Sequence, residues 1–114
     1  MRHAPVSRSV NEFFRDYLRH VYKRRVGHSR CWNPEWWRVD EAVVRLESLW
    51  RAWEFLRQDA STGTSIWFRD HADHHMNALM DADGPFGDSL AETGWGDPLP
   101  HTEPPEGLFP DIRE

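Results

Sequence analysis

A chain of 114 residues with 29% charged side chains and a mean hydropathy of −0.79 is long enough for one domain, and no apolar run approaches the roughly 20 residues needed to span a bilayer. The single cysteine, Cys31, excludes an internal disulfide framework, and no apolar segment follows the N-terminal arginines, so the expectation is a cytoplasmic protein with no membrane partner. The net charge of −5 is uneven: residues 1–30 hold eight basic and two acidic side chains, a net of +6, while the other 84 hold six basic and 17 acidic, a net of −11, which argues against indiscriminate binding to polyanions.

Residues 1–8 read as a flexible arm ahead of a single helical domain over residues 9–114. Ser9-Val10-Asn11-Glu12 has the form of a capping box. Val10, Phe13, Phe14, Tyr17, Leu18, Val21 and Tyr22 then recur every three or four residues, which predicts an amphipathic helix over about 9–26. Lys23, Arg24 and Arg25 fall in its expected last turn, where positive charge suits the helix C-terminus, and Gly27 is placed to close it. Asn33 with Pro34 predicts a short turn carrying Trp36 and Trp37.

Asp40 reads as the N-cap of a second helix, about 40–58. Its apolar face is Ala42, Val43, Leu46, Leu49, Trp50, Trp53 and Leu56, with Phe55 off that face. Ser61-Thr62-Gly63 breaks the chain before a third helix, about 64–80, whose core stripe is Phe68, Ala72, Met76, Leu79 and Met80. Residues 81–114 contain six of the eight prolines and five of the seven glycines, which precludes long regular structure. Phe86, Leu90, Trp95, Leu99, Leu108, Phe109 and Ile112 are spaced through that region, so an ordered tail wrapping the helices is expected. The fold class is therefore all-α: three helices around a tryptophan-rich core, with any β pairing short and confined to 84–110.

Four features bear on function. Asp70, His71, His74 and His75 lie within about three turns of the third helix, and His71 and His75, four apart, share a face as two zinc ligands would. Cys31, His28 or His101 are candidates for a missing ligand, but the His-Glu-x-x-His pattern of helical zinc hydrolases is absent, and histidines bordering an aromatic core are the competing reading. A histidine held by an aspartate can act as a general base, yet no partnered nucleophile accompanies one, so no enzymatic activity and no required cofactor are expected. Seven tryptophans exceed what a core of this size needs, which marks Trp32, Trp36 and Trp37 as a candidate partner-binding surface. Arg15, Arg19, Lys23, Arg24 and Arg25 on the basic first helix are candidate phosphate contacts.

Taken together, Tyr22-Lys23-Arg24-Arg25, the Cys31-Trp32-Asn33-Pro34-Glu35-Trp36-Trp37 run, the stretch from Glu41 to Glu54, the segment from Trp67 to Met76 and Gly84-Pro85-Phe86 carry a resemblance over roughly residues 10–110. The chain resembles an uncharacterised domain-of-unknown-function family, family 4913, of actinobacterial genomes, plasmids and phages. The resemblance implies a gene carried on mobile elements and brings no activity with it; where it implies a cysteine soon after Gly-Pro-Phe, this chain has Asp88. The leading expectation is a non-enzymatic protein-interaction module, an accessory protein of a plasmid or phage with an unknown protein partner. The alternative is a small regulator that binds a metal through the His/Asp stripe or nucleic acid through the basic helix.

Overall fold

The computed structural model describes residues 7–110. Of the expected arm, residues 1–6 lie outside the described residues, as does Ile112 of the tail. Ser7, inside that arm, is buried, and its amide N–H donates to Glu54 Oε1 at 3.4 Å.

Three helices form the frame. Helix α1 spans residues 10–21, α2 spans Asp40–Leu56 and α3 spans residues 63–80, with a 3₁₀ turn at Trp36–Arg38 between the first two. Among the described residues there is no strand, only an isolated antiparallel bridge between Arg30 and Asp81. It lies outside the 84–110 window in which pairing is expected. No helix of the described residues is long and apolar enough to cross a membrane.

Local chemistry sets the starts. Ser9 Oγ accepts the Glu12 N–H at 3.1 Å, satisfying one orphan donor of α1. Asn33 Oδ1 accepts the Glu35 N–H at 2.9 Å and launches the 3₁₀ turn. Val39, in extended conformation, is the N-cap of α2, so Asp40 is the first helical residue, where its charge favours the N-terminus. Along α2 the buried residues are Ala42, Leu46, Leu49, Trp50 and Trp53, as the periodicity requires, while Phe55 is 74% exposed.

Helices α1 and α3 each contain a π turn, at Phe14–Leu18 and Trp67–Ala72. In each, an amide donates to the carbonyl five residues back: Arg19 to Phe14, and Asp73 to Phe68. The extra residue per turn re-phases the apolar stripe of α3. Trp67, Ala72 and Met76 become the buried set, and Phe68 rotates to a half-buried position stacked on Tyr22, with centroids 6.4 Å apart. Periodicity at 3.6 residues assigns Phe68 to the core and Trp67 beside it; the π turn reverses the two.

Helix α1 ends at Val21 rather than near 26. Tyr22 leaves the helical region at φ −114°, ψ 66°, and its hydroxyl donates to Asp73 Oδ1 at 2.9 Å on α3. Lys23, Arg24 and Arg25 are therefore in an irregular segment, not a last helical turn.

Two aromatic clusters fill the interior. In the first, Trp67 contacts Trp53 (5.0 Å), Phe68 (4.9 Å), Phe13 (6.3 Å) and Tyr17 (6.5 Å), and its indole N–H donates to the Leu49 carbonyl at 3.0 Å. In the second, Phe14 stacks on Trp32 at 5.4 Å and 9°, Trp32 meets Phe86 edge-on at 4.9 Å, and Trp36 stacks on Phe109 at 5.6 Å. From the irregular region, Phe86 and Leu99 are fully buried, whereas Leu90 (94%), Trp95 (81%) and Leu108 (46%) are exposed.

Polar contacts hold the irregular region to α1 and the 3₁₀ turn. The Leu99 N–H donates to Arg19 O, and Arg19 Nε donates back to Leu99 O at 2.8 Å. The Trp36 indole N–H donates to His101 Nδ1 at 3.2 Å, so the proton of the neutral ring sits on Nε2, which donates to Glu103 Oε2 at 3.1 Å. Glu103 Oε1 accepts from Asn11 and Arg15. Burial holds His101 below the usual histidine range, with Arg19 and Arg15 adding to the effect and Glu103 opposing it. His75 is lowered too, by burial first and then by Arg45.

A histidine that is harder to protonate folded than unfolded stabilises the protein above its unfolded pKa, and that stability is lost as pH falls from there toward the folded value. The urea midpoint is therefore expected to drop as pH falls below about 6.5, and His101→Gln should flatten part of that slope. A midpoint that rises on acidification through this window would contradict the arrangement.

Candidate anion-binding site

The three tryptophans expected at the surface divide. Trp32 and Trp36 are 0% exposed and belong to the second aromatic cluster, so they are corrected to core residues. Trp37 is half-buried: its indole N–H donates to Thr102 O at 2.8 Å, and the Arg38 guanidinium lies 4.9 Å over its ring. Neighbours on a 3₁₀ turn point in different directions, which is why one ring enters the core and the next lies at its edge. The most exposed tryptophan is Trp95, in the irregular region.

The Asp70, His71, His74 and His75 stripe is not brought together as a ligand set. Among the described residues no three His, Cys, Asp or Glu side chains group to hold a metal ion. Asp70 is clamped by its neighbour Arg69 at 2.7 and 3.1 Å, which holds its carboxyl below the usual range. Arg45 donates to His75 Nδ1 at 3.0 Å and so occupies the lone pair a metal would take there. His74 is exposed with its ring edge-on to His75 at 5.1 Å, and His71 is half-buried.

The basic candidates also divide. Arg15 is held by Asp16 through Nε and NH2 at 2.8 and 2.9 Å and by Glu103 at 3.2 Å. Arg19 serves the Leu99 carbonyl. Both act in holding the irregular region rather than as free phosphate contacts. Lys23, Arg24 and Arg25 instead join residues that the helical reading did not include.

The irregular segment they occupy is fixed by Thr93. The Val26 N–H donates to Thr93 Oγ1 at 3.0 Å, the Thr93 N–H donates to Val26 O at 3.1 Å, and Thr93 Oγ1 donates to Arg24 O at 3.2 Å. Gly27 then turns the chain at φ +99°, its N–H donating to Arg30 O at 2.8 Å. A side chain there would be strained and would also meet Glu92 at 2.5 Å. Beyond the turn, the Cys31 N–H donates to Met80 O at the end of α3.

This loop and the facing Trp95-Gly96 turn enclose a cavity of about 230 Å³, lined by Lys23, Arg24, Arg25, His28, Ser29, Arg30, Trp95 and Gly96. Among the described residues, no carboxylate lines it. Arg25 stacks on Trp95 at 4.9 Å and donates to His28 Nε2 at 2.8 Å, while Arg24 lies 4.2 Å over the Tyr22 ring. Among the described residues, none of Lys23, Arg24, Arg25 and Arg30 has an ion-pair partner. A second cavity of about 340 Å³ shares Ser29 and Arg30 and continues to Asn77, Met80, Asp81 and Ala82. Sequence reasoning missed Arg30 and Trp95; their clustering with Lys23 and His28 rests on the Thr93 contacts, for which the sequence carries no local signal.

The fold and site define a small all-α domain with a concave, unneutralised cationic pocket edged by an exposed indole. The chain belongs to the family Domain of unknown function (DUF4913), whose family model matches residues 8–105. No curated protein and no solved structure matches the chain.

Proposed function

We propose that the protein is a nucleic-acid-binding protein, without a catalytic step, that holds phosphates of the backbone in the pocket formed by Lys23, Arg24, Arg25 and Arg30. The observation that carries this reading is a cavity with four cations and, among the described residues, no carboxylate on its wall, in a chain that is acidic overall. Keeping four like charges together unpaired is unfavourable unless an anion neutralises them. The net charge of −11 over residues 31–114 would repel a polyanion elsewhere and orient it toward this loop. An accessory protein of a plasmid or phage, the setting implied by the sequence resemblance, would have nucleic acid as an available partner.

The test is binding of a labelled oligonucleotide across a salt series. With four phosphate contacts the logarithm of affinity should fall against the logarithm of salt with a slope of about −3. Arg30→Ala should make that slope shallower by about 1 and leave the thermal midpoint in place, because Arg30 is exposed. Binding that ignores salt would sink the reading.

A protein contact is the second reading, favoured by Val44 and Phe55, which are 64% and 74% exposed on α2. Val44 borders a cavity of about 390 Å³ with Asp40, Glu41, Arg45, Ser48 and His75. Such a contact would weaken on Val44→Ser and Phe55→Ser and respond little to salt.

A further inference from the structure

We infer that the ligand is single-stranded: one unpaired base stacks on the outer face of Trp95 while its flanking phosphates lie against Lys23, Arg24 and Arg30. The inference rests on the nucleic-acid reading above and names the form of nucleic acid. Trp95 is 81% exposed although six other tryptophans pack inside or at the edge of the core, so hydrophobic burial within the chain does not account for its position.

The ring is held in place. One face carries the Arg25 guanidinium at 4.9 Å, and Arg25 is itself anchored to His28. The Thr93 contacts with Val26 and Arg24 fix the segment that supplies Arg25. The turn after Trp95 is open: Gly96 has φ +81°, and a Cβ added there would meet nothing within 4 Å. An indole backed by a guanidinium, with its other face free beside unpaired cations, is the arrangement that single strands use. Each base offers a π-face to an aromatic platform while the backbone follows positive charge.

A duplex does not fit the same geometry. Its bases are stacked on one another, so it offers phosphates and groove edges but no free base face to Trp95. The adjoining cavity supports the same assignment. Its walls include Asn77 and a single carboxylate, Asp81, whose Oδ1 accepts the Asp83 N–H at 2.8 Å. A carboxylate accepts from the amino groups of bases and repels phosphate, and the Asn77 amide can pair with a base edge. The strand therefore runs with its phosphates in the first cavity and its next base toward the second. Ribose and deoxyribose strands share this chemistry, and the experiment separates them.

The experiment compares labelled oligodeoxyuridylate, the matching oligouridylate and a duplex of equal length by fluorescence anisotropy at low salt, with the wild-type chain, Trp95→Ala, Trp95→Phe and Arg30→Ala. Single strands should bind at least about 10-fold more tightly than the duplex, and Trp95→Ala should weaken them by about 5- to 150-fold, the worth of one stacked base. Trp95→Phe should restore much of that loss, duplex binding should be indifferent to Trp95, and the better of the two single strands identifies the sugar. Equal affinity for strand and duplex, or no effect of Trp95→Ala while Arg30→Ala and salt still weaken binding, would overturn the stacking inference and leave the phosphate reading standing. Absence of binding to all three at low salt would overturn both.

Discussion

Replacing Trp67 with alanine is expected to cost about 3–5 kcal/mol of unfolding free energy, against the roughly 5–15 kcal/mol typical of a whole domain. The residue is 0% exposed and is where all three helices meet: Phe13 and Tyr17 approach from α1, Trp53 from α2, and its indole N–H donates to Leu49 O of α2. Truncation would leave a cavity walled by rings that cannot collapse into it without breaking their own contacts. Trp67→Phe keeps much of the ring packing but loses the donor to Leu49, and about 1–2 kcal/mol is expected for it. Urea denaturation measures both, with an unchanged slope confirming that the midpoint shift reports native stability. An alanine variant within about 1 kcal/mol of wild type would show that the two π turns do not converge on this side chain.

The second large effect is at Gly63, the first residue of α3. A Cβ built there would sit 1.8 Å from Leu56 O and 2.8 Å from Leu56 C, and both are backbone atoms at the end of α2. The φ of Gly63 is not in the left-handed region, so the requirement is one of space and not of backbone conformation. The tight approach lets α3 start immediately under the C-terminus of α2, with the Gly63 N–H donating to Asp59 O at 3.1 Å. Gly63→Ala should push the two helix ends apart and cost about 3 kcal/mol or more, at or beyond the upper end for overpacking because backbone cannot rotate away. Wild-type-like thermal and urea midpoints for this variant would contradict the close approach.

The two stability variants and the binding variants act on different parts of the molecule. Trp67 and Gly63 set how α3 lies on α1 and α2, and α3 in turn carries Met80 and leads into Asp81, against which residues 30 and 31 pair. The cationic pocket is therefore formed by loops but positioned by the core. Substitutions at Arg30 and Trp95, both exposed, should change binding without changing the midpoint.

Much of the frame follows from residues near one another in the chain. Recurrence of apolar residues every three or four positions identifies α2 and its buried face, because neighbours on one side of a helix must share one environment. Ser9 marks the start of α1, and Ser61-Thr62-Gly63 marks the break before α3, because capping and tight turns depend on two or three adjacent side chains. The aromatic content likewise points to a tryptophan-built core.

What that pattern leaves open depends on groups far apart in sequence. Helix α1 stops at Val21 because Tyr22 turns toward Asp73, 51 residues on, and the following segment pairs with Thr93. Arg15 and Arg19 are taken by partners 88 and 80 residues away, whereas Lys23, Arg24 and Arg25 are left facing Trp95. The π turns exchange Trp67 and Phe68, and the 3₁₀ turn buries Trp36 while leaving Trp37 at the edge. Which tryptophan is exposed and which cation is unpaired are properties of packing between distant segments: the side chains involved are chemically identical along the chain, and only their neighbours in space distinguish them.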